Sequence, residues 1–223
     1  MTFDRARLEA LNADHHRRMA QAPSSPSNAS RDDQSRAKII AAIHGCRSRH
    51  KMPWKSDGRP QALELGAGYA GDRRTLVEEF GVQYTGIEAV EHVAQAANRS
   101  IPEDELDGDG QVLVHHMAIE ELPQEWSGRF HLVYSRHVME HVLDVGLALA
   151  NIKRVLAPDG IVAAVTPHYF PDPEPAHVTQ LRREEWMREY HAAGLKSVYA
   201  TLESFACDEA HILLVHNDWP LQP

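Results

Sequence analysis

At 223 residues, 43% hydrophobic and 25% charged, the chain has material for one sizeable domain with a core and little for a second. Its net charge of −9 is uneven: residues 1–50 hold nine Lys or Arg against five Asp or Glu, the rest fourteen against twenty-seven, and an acidic body makes a poor nucleic-acid surface. No apolar run approaches the ~20 residues of a membrane span, the charged stretch Met1 to Ala22 is no secretion signal, and the distant Cys46 and Cys207 form neither a metal pair nor a disulfide framework, so a cytoplasmic protein with reduced thiols is expected.

Phe3 to Gln21, with Leu8, Leu11 and Met19 among charges, predicts a weakly amphipathic helix. The Pro and Ser cluster from Ala22 to Ser30 predicts a linker or mobile loop, and Arg31 to Cys46 a second helix burying Ile39, Ile40 and Ile43. Residues 1–50 are therefore read as an N-terminal helical cap, and 51–223 as the main domain. From Gln61 strands and helices alternate: a strand to Leu65, a helix Asp72 to Phe80, a strand Tyr84 to Glu88 and a helix Val90 to Asn98. After an acidic loop come a third strand (Gln111 to His115), a fourth (Phe130 to Ser135), a helix (Val145 to Leu156), a Pro158-Asp159-Gly160 turn and a fifth strand (Ile161 to Thr166). A helix Glu184 to Ala193 and two strands, Ser197 to Ser204 and Ala210 to His216, close the series. Alternation first and a hairpin last predict an α/β fold: a doubly wound, mostly parallel sheet with a C-terminal antiparallel hairpin.

Leu63-Glu64-Leu65-Gly66-Ala67-Gly68-Tyr69-Ala70-Gly71 places glycines between the first strand and its helix. There the backbone bends tightly, and the free N–H groups of a helix start favour an electron-rich ligand. Glu88, closing the second strand, suits a ribose diol. The glycine spacing also fits dinucleotide binders, which keeps open an NAD-dependent oxidoreductase or a binding module without catalysis. Glu64 argues for a cationic ligand, since a carboxylate beside the turn would repel a pyrophosphate.

With these segments in place the chain resembles the Rossmann-like S-adenosylmethionine-dependent methyltransferases, from about Gln61 to His216. Leu63 to Gly68, Gly86-Ile87-Glu88, Glu120-Glu121-Leu122-Pro123 before Phe130-His131-Leu132-Val133, and Leu156-Ala157-Pro158-Asp159-Gly160 match in order. The resemblance implies seven strands and S-adenosylmethionine as cofactor. Glu64 and the backbone of Gly66, Ala67 and Gly68 would hold its methionine part, Glu88 its ribose, and Ala118 and Ile119 would flank adenine. Arg136 joins this cofactor-binding set. Many relatives have Asp where Ala118 stands, so the adenine amino group would fall to backbone or to Glu120.

The fourth strand delivers Ser135-Arg136-His137-Val138-Met139-Glu140-His141 to the ligand end of the sheet. On a helical turn His137, Glu140 and His141 would share one face. Ubiquinone-pathway O-methyltransferases carry Glu-x-x-Glu-His here, associated with a divalent metal, and the resemblance extends that option to His137, Glu140 and His141, completed by His168 or His177. A zinc-protease pattern His-x-x-Glu-His also fits these letters but lacks the helical context. Alternatively Glu140 and His141 only anchor the loop. His137, His141 and His168 are the candidate catalytic bases; His15, His16, His50, His92 and His191 are assigned to the surface. The resemblance implies methyl transfer to a small-molecule acceptor, at oxygen with nitrogen as the alternative. The cap would serve as a lid, nucleic acid is not expected as a partner, and a homodimer is compatible with the sequence.

Overall fold

The computed structural model describes residues 3–21, 26–52, 54, 58–102, 113–168, 174–204 and 208–219. Its strands are β1 (Gln61–Leu65), β2 (Gln83–Glu88), β3 (Val114–His116), β4 (Phe130–Arg136), β5 (Leu156–Pro167), β6 (Leu195–Ser204) and β7 (Asp208–His216). They form one sheet in the order β3-β2-β1-β4-β5-β7-β6, parallel from β3 to β5, with β7 antiparallel to both β5 and β6. The helices are α1 (Arg5–Gln21), α2 (Pro26–Arg49), α3 (Arg73–Phe80), α4 (Glu91–Ser100), α5 (Val145–Val155) and α6 (Arg183–Ala192). The chain reverses direction across the sheet between β1 and β4, and a crevice opens there beyond their C-terminal ends, as doubly wound sheets require.

The period-2 alternation of the strands divides the core into two layers. Ala62, Leu132, Tyr134, Ile161, Ala163 and Leu213 face α2, α3 and α4, where Ile39, Ile43, Leu76 and Phe80 cover them. Leu63, Leu65, Val133, Val162, Ala164 and Ile212 face the other side, under Leu149, Ile152, Trp186 and Tyr190 of α5 and α6. Both faces of the central strands are thus buried, which is why those strands read as continuous apolar runs.

Three expectations change. Pro26 to Ser30 belongs to α2 rather than to a linker, proline being tolerated at a first helical position because its missing N–H would have no partner there; Ala22 to Ser25 lie outside the described residues. Of residues 1–50 only α1 lies apart from the core, because α2 inserts Ile39, Ile40, Ile43 and Cys46 into it. Pro158-Asp159-Gly160 does not precede the fifth strand but lies within β5, at a register shift opposite Phe130 and Leu132. Gly160 is fitted to that irregularity, since a Cβ there would meet the Phe130 carbonyl at 2.9 Å. Of the predicted third strand, Gln111 and Val112 lie outside the described residues.

Candidate active site

Gly66 leaves β1 with a left-handed backbone, φ 58°. A Cβ at this position would stand 2.6 Å from a methyl of Val138, so no other residue fits between the turn and the segment after β4. The Ala67 N–H donates to the Ile87 carbonyl at 2.8 Å. Beside it the Glu88 carboxylate accepts the Gly68 N–H at 3.0 Å and the Val90 N–H at 2.9 Å. Gly66, Glu88, Ala118 and Ile119 line one crevice, whereas Ala67 and Gly68 are not among its lining residues. Glu120 also lines it, but its carboxylate accepts the Leu143 and Asp144 N–H groups at 3.2 and 3.3 Å, which leaves backbone as the readier reader of an adenine edge.

Glu64 and Arg136 are not among the crevice-lining residues. Both belong to a charge cluster behind the glycine turn. Arg136 Nε donates to Asp72 at 2.8 Å, Arg36 Nε donates to the same carboxylate at 2.5 Å, and Arg136 also pairs with Asp32. The Tyr84 hydroxyl donates to Glu64 at 2.5 Å. Burial, reinforced by neighbouring Asp72, pushes the Glu64 carboxyl up to about 8, whereas the two guanidiniums overcome burial at Asp72 and hold it below its ordinary value. Asp72 occupies the N-cap position of α3, yet its side chain makes no cap bond and serves this cluster instead.

Beyond the cofactor side, Met139–His141 forms a single 3-10 turn. The expected α-helical face joining His137 to Glu140 and His141 is therefore absent; His137 precedes the turn in a left-handed conformation, φ 56°. Its N–H donates to the Val165 carbonyl, and its Nε2 lies 3.2 Å from Glu209 on β7, with Nδ1 3.6 Å from Glu140. Burial opposes charge on His137, but contacts with Glu140 and Glu209 prevail and hold its pKa up at about 9. Glu209 is further held by the Ser35 hydroxyl at 2.5 Å and by His211 at 3.0 Å, and these bonds keep it ionised against the effect of burial. His141 behaves oppositely: burial, with His177 and His15 nearby, lowers it to about 4 despite Glu140.

Glu140, His141 and His177 present one ligand atom each within 4.8 Å of one another. His177, one of the two residues expected to complete such a cluster, thus joins Glu140 and His141, whereas His137, 3.6 Å from Glu140, is not in this group. His168 stands elsewhere: its Nδ1 accepts the Arg183 N–H at 3.0 Å at the start of α6, and it does not line the crevice. The loop carrying His177 is stitched to the 3-10 turn by the Thr179 N–H on the Glu140 carbonyl and the Thr179 hydroxyl on that of Val142.

Helix α1 roofs the crevice with Leu8, Asn12, His15 and His16. It is pinned by Arg5 to Glu121 and by Arg18 to Glu174. His15 and His16 are therefore not the surface residues expected. The His15 ring lies 4.9 Å from that of His141 and 6.1 Å from that of His177, and burial lowers its pKa; His16 approaches Glu88. Their spacing from Leu8 and Asn12, at i, i+4, i+7 and i+8, is the sequence signal that was available.

Residues 63–164, a little under half of the chain, match the family model of the methyltransferase domain. Over that span the chain is similar to a methyltransferase domain. A search of curated proteins gives no significant match. Among solved structures, a putative sarcosine dimethylglycine methyltransferase from Galdieria sulphuraria aligns at 16% identity and a TM-score of 0.64, over 82% of this chain and 85% of that one. A geranyl diphosphate methyltransferase in complex with its diphosphate and sinefungin aligns at 16% and 0.59, over 78% and 76%. The [4+2]-cyclase SpnF aligns at 15% and 0.61, over 82% and 82%. At such identities these likenesses establish the fold; the cyclase among them means that chemistry has to be argued from the site. Gly66, Glu88, Ala118 and Ile119 line the crevice at the place where S-adenosylmethionine, the cofactor of methyltransferase domains of this fold, is expected. Among the described residues no helix is long and apolar enough to cross a membrane.

Proposed function

We propose that this protein transfers a methyl group to an oxygen of a small-molecule acceptor bound between the glycine turn and the histidine wall under α1. The observation that carries the reading is the convergence of His15, His137 and His141 on the crevice that Gly66, Glu88 and Ala118 line from the other side. The cofactor supplies an activated sulfonium methyl group, so the protein's tasks are alignment, exclusion of water and management of one proton. In this reading Glu88 and the Gly66 to Gly68 backbone position the cofactor, and Arg136 and Glu64 shape the field behind it. His15 and His141, kept neutral by burial, offer ring nitrogens to the acceptor's hydroxyl proton. His137, charged and held by Glu209, fixes the segment after β4 and adds a positive field beside an oxygen that becomes anionic as it is deprotonated. Such a wall favours a hydroxylated acceptor over an amine, which would arrive as a cation.

Purified protein incubated with methyl-labelled S-adenosylmethionine and a panel of hydroxy, carboxylic and amino compounds tests this. Label recovered in a methyl ether or ester supports it. Label recovered only in N-methyl products, or a bound cofactor with no transfer to any acceptor that the crevice demonstrably binds, overturns it.

A further inference from the structure

Glu140 is 4% exposed, and neither of its carboxylate oxygens has a hydrogen-bond partner. A buried carboxylate that accepts no hydrogen bond is costly, and native structures compensate such a group with cations or a bound ion. Its nearest neighbours are imidazoles: His137 Nδ1 at 3.6 Å, itself shared with Glu209, and His177 Nε2 at 4.0 Å. The Nδ1 of His141 is likewise buried without a partner. Two segments remote in sequence thus bring one carboxylate and two imidazoles to a common point.

We propose that Glu140, His141 and His177 bind a divalent first-row transition ion. Two imidazoles and one carboxylate suit zinc, cobalt, nickel, iron or manganese better than calcium or magnesium. Ligand bonds of about 2.0 to 2.2 Å require the three donor atoms, now within 4.8 Å of one another, to draw inward, a movement open to side-chain rotation about a filled site. Three protein ligands leave a coordination position for water or an acceptor oxygen, as in catalytic zinc sites. His137 is not in the group whose donor atoms all lie within 4.8 Å of one another, and His15 packs edge-on against His141 from α1. The ion would lower the pKa of a bound hydroxyl, which a weakly basic imidazole accomplishes poorly unaided. That catalytic role rests on the function proposed above, whereas binding of the ion does not.

Tag-free protein is stripped with a chelator and titrated with cobalt(II), followed by visible absorption and calorimetry; S-adenosylmethionine binding is measured on the same samples. One cobalt per chain with ligand-field bands is expected. His177→Ala and Glu140→Gln should weaken it by more than the roughly 10- to 100-fold typical of losing a residue that only supports a ligand. His168→Ala should leave it unchanged. The proposal is overturned if the wild-type protein shows no such bands, or if cobalt affinity is the same in wild type, His177→Ala and Glu140→Gln. Loss of cobalt binding with normal cofactor binding overturns the ion alone; cobalt binding without cofactor binding overturns the methyl-transfer reading alone.

Discussion

His16 on α1 stands with its Nε2 3.6 Å from Oε1 of Glu88, the carboxylate that closes β2 and anchors the glycine turn. The roof of the crevice therefore touches the residue assigned to the cofactor's ribose. Arg5 on Glu121 and the Ala89 carbonyl, Arg18 and His15 on Glu174, and Glu9 beside His116 add partly exposed polar contacts that hold α1, while Leu8 is the only residue of the helix that is buried. Partly exposed ion pairs contribute ~0–1 kcal/mol each and one buried leucine about 1.5–3, so α1 is fastened weakly enough to open.

A variant that begins at Pro26 should consequently fold, since α2 with its core residues Ile39, Ile40 and Ile43 is kept. Its melting temperature should fall by less than about 10 °C. Cofactor dissociation should quicken and turnover collapse, because the roof that excludes water is gone. Thermal melts and stopped-flow release of the cofactor check this. A truncated protein with unchanged release and turnover would sink the lid assignment. Cutting at residue 30 instead would remove the first turn of α2 and confuse the result.

Glu88→Gln should weaken S-adenosylmethionine binding by about 10- to 100-fold, the loss of one or two hydrogen bonds to a charged acceptor. The carboxylate already receives the Gly68 and Val90 N–H groups, so part of the loss should appear as a looser turn even without ligand. Calorimetry and hydrogen exchange at Gly68 read the two effects separately. Unaltered affinity would remove Glu88 from the cofactor site.

Much of this architecture is legible in sequence because local patterns and burial coincide. Gln61–Leu65 is found with its bounds intact, and the hairpin of β6 and β7 follows from two β-rich runs separated by a short break. The glycine turn is legible because steric need at Gly66 leaves one residue type. The crevice walls are harder. His15 and His16 sit on a helix whose polarity suggests solvent, and only its docking onto segments a hundred residues away makes them crevice residues. Asp72, expected only as the start of a helix, is the hub that pairs Arg36 and Arg136. His137 stays beside Glu140, but His177 is the imidazole grouped with both Glu140 and His141, because the turn is 3-10 and not α-helical, a distinction that spacing does not encode. In β7, Glu209 and His211 alternate as buried polar residues in an apolar strand, a signal readable at period 2.

Glu209→Ala should destabilise the fold by about 3–5 kcal/mol, because it leaves charged His137 facing an empty site and removes the partner of Ser35 and His211. Glu209→Gln, which retains hydrogen bonds without the charge, should cost about half as much. Denaturant titrations compare the two. Because the Glu209 pKa is depressed in the folded protein, its contribution is present above the ordinary carboxylate range and is lost as pH falls below it, so the difference between wild type and Glu209→Gln should shrink in acid. Equal stability of all three proteins at neutral pH would show that the cluster carries no net interaction.

Glu64 gives the opposite pH dependence. Its folded pKa, raised by burial and by Asp72 to about 8, lies above the ordinary value of 4.5. Below 4.5 the group is protonated in folded and unfolded chains alike and has no effect on the difference. Between 4.5 and 8 the folded chain keeps a proton that the unfolded chain releases, so wild-type stability should fall as pH rises through this window. Above 8 the loss is complete. Glu64→Gln, neutral throughout, should lack this slope, and the two stability curves should diverge by a few kcal/mol between pH 5 and 8, the scale set by ~1.4 kcal/mol per pKa unit with allowance for burial beside charged neighbours. The cofactor's ammonium adds a second consequence. If Glu64 meets its field beneath the glycine turn, binding favours the carboxylate and expels the proton, so at pH 7 association should release close to one proton per chain. Calorimetric enthalpies measured in buffers of different ionisation enthalpy give that number directly. Release of a proton in wild type but not in Glu64→Gln places the acid in contact with the cofactor's charge, and equal release in both proteins rules it out.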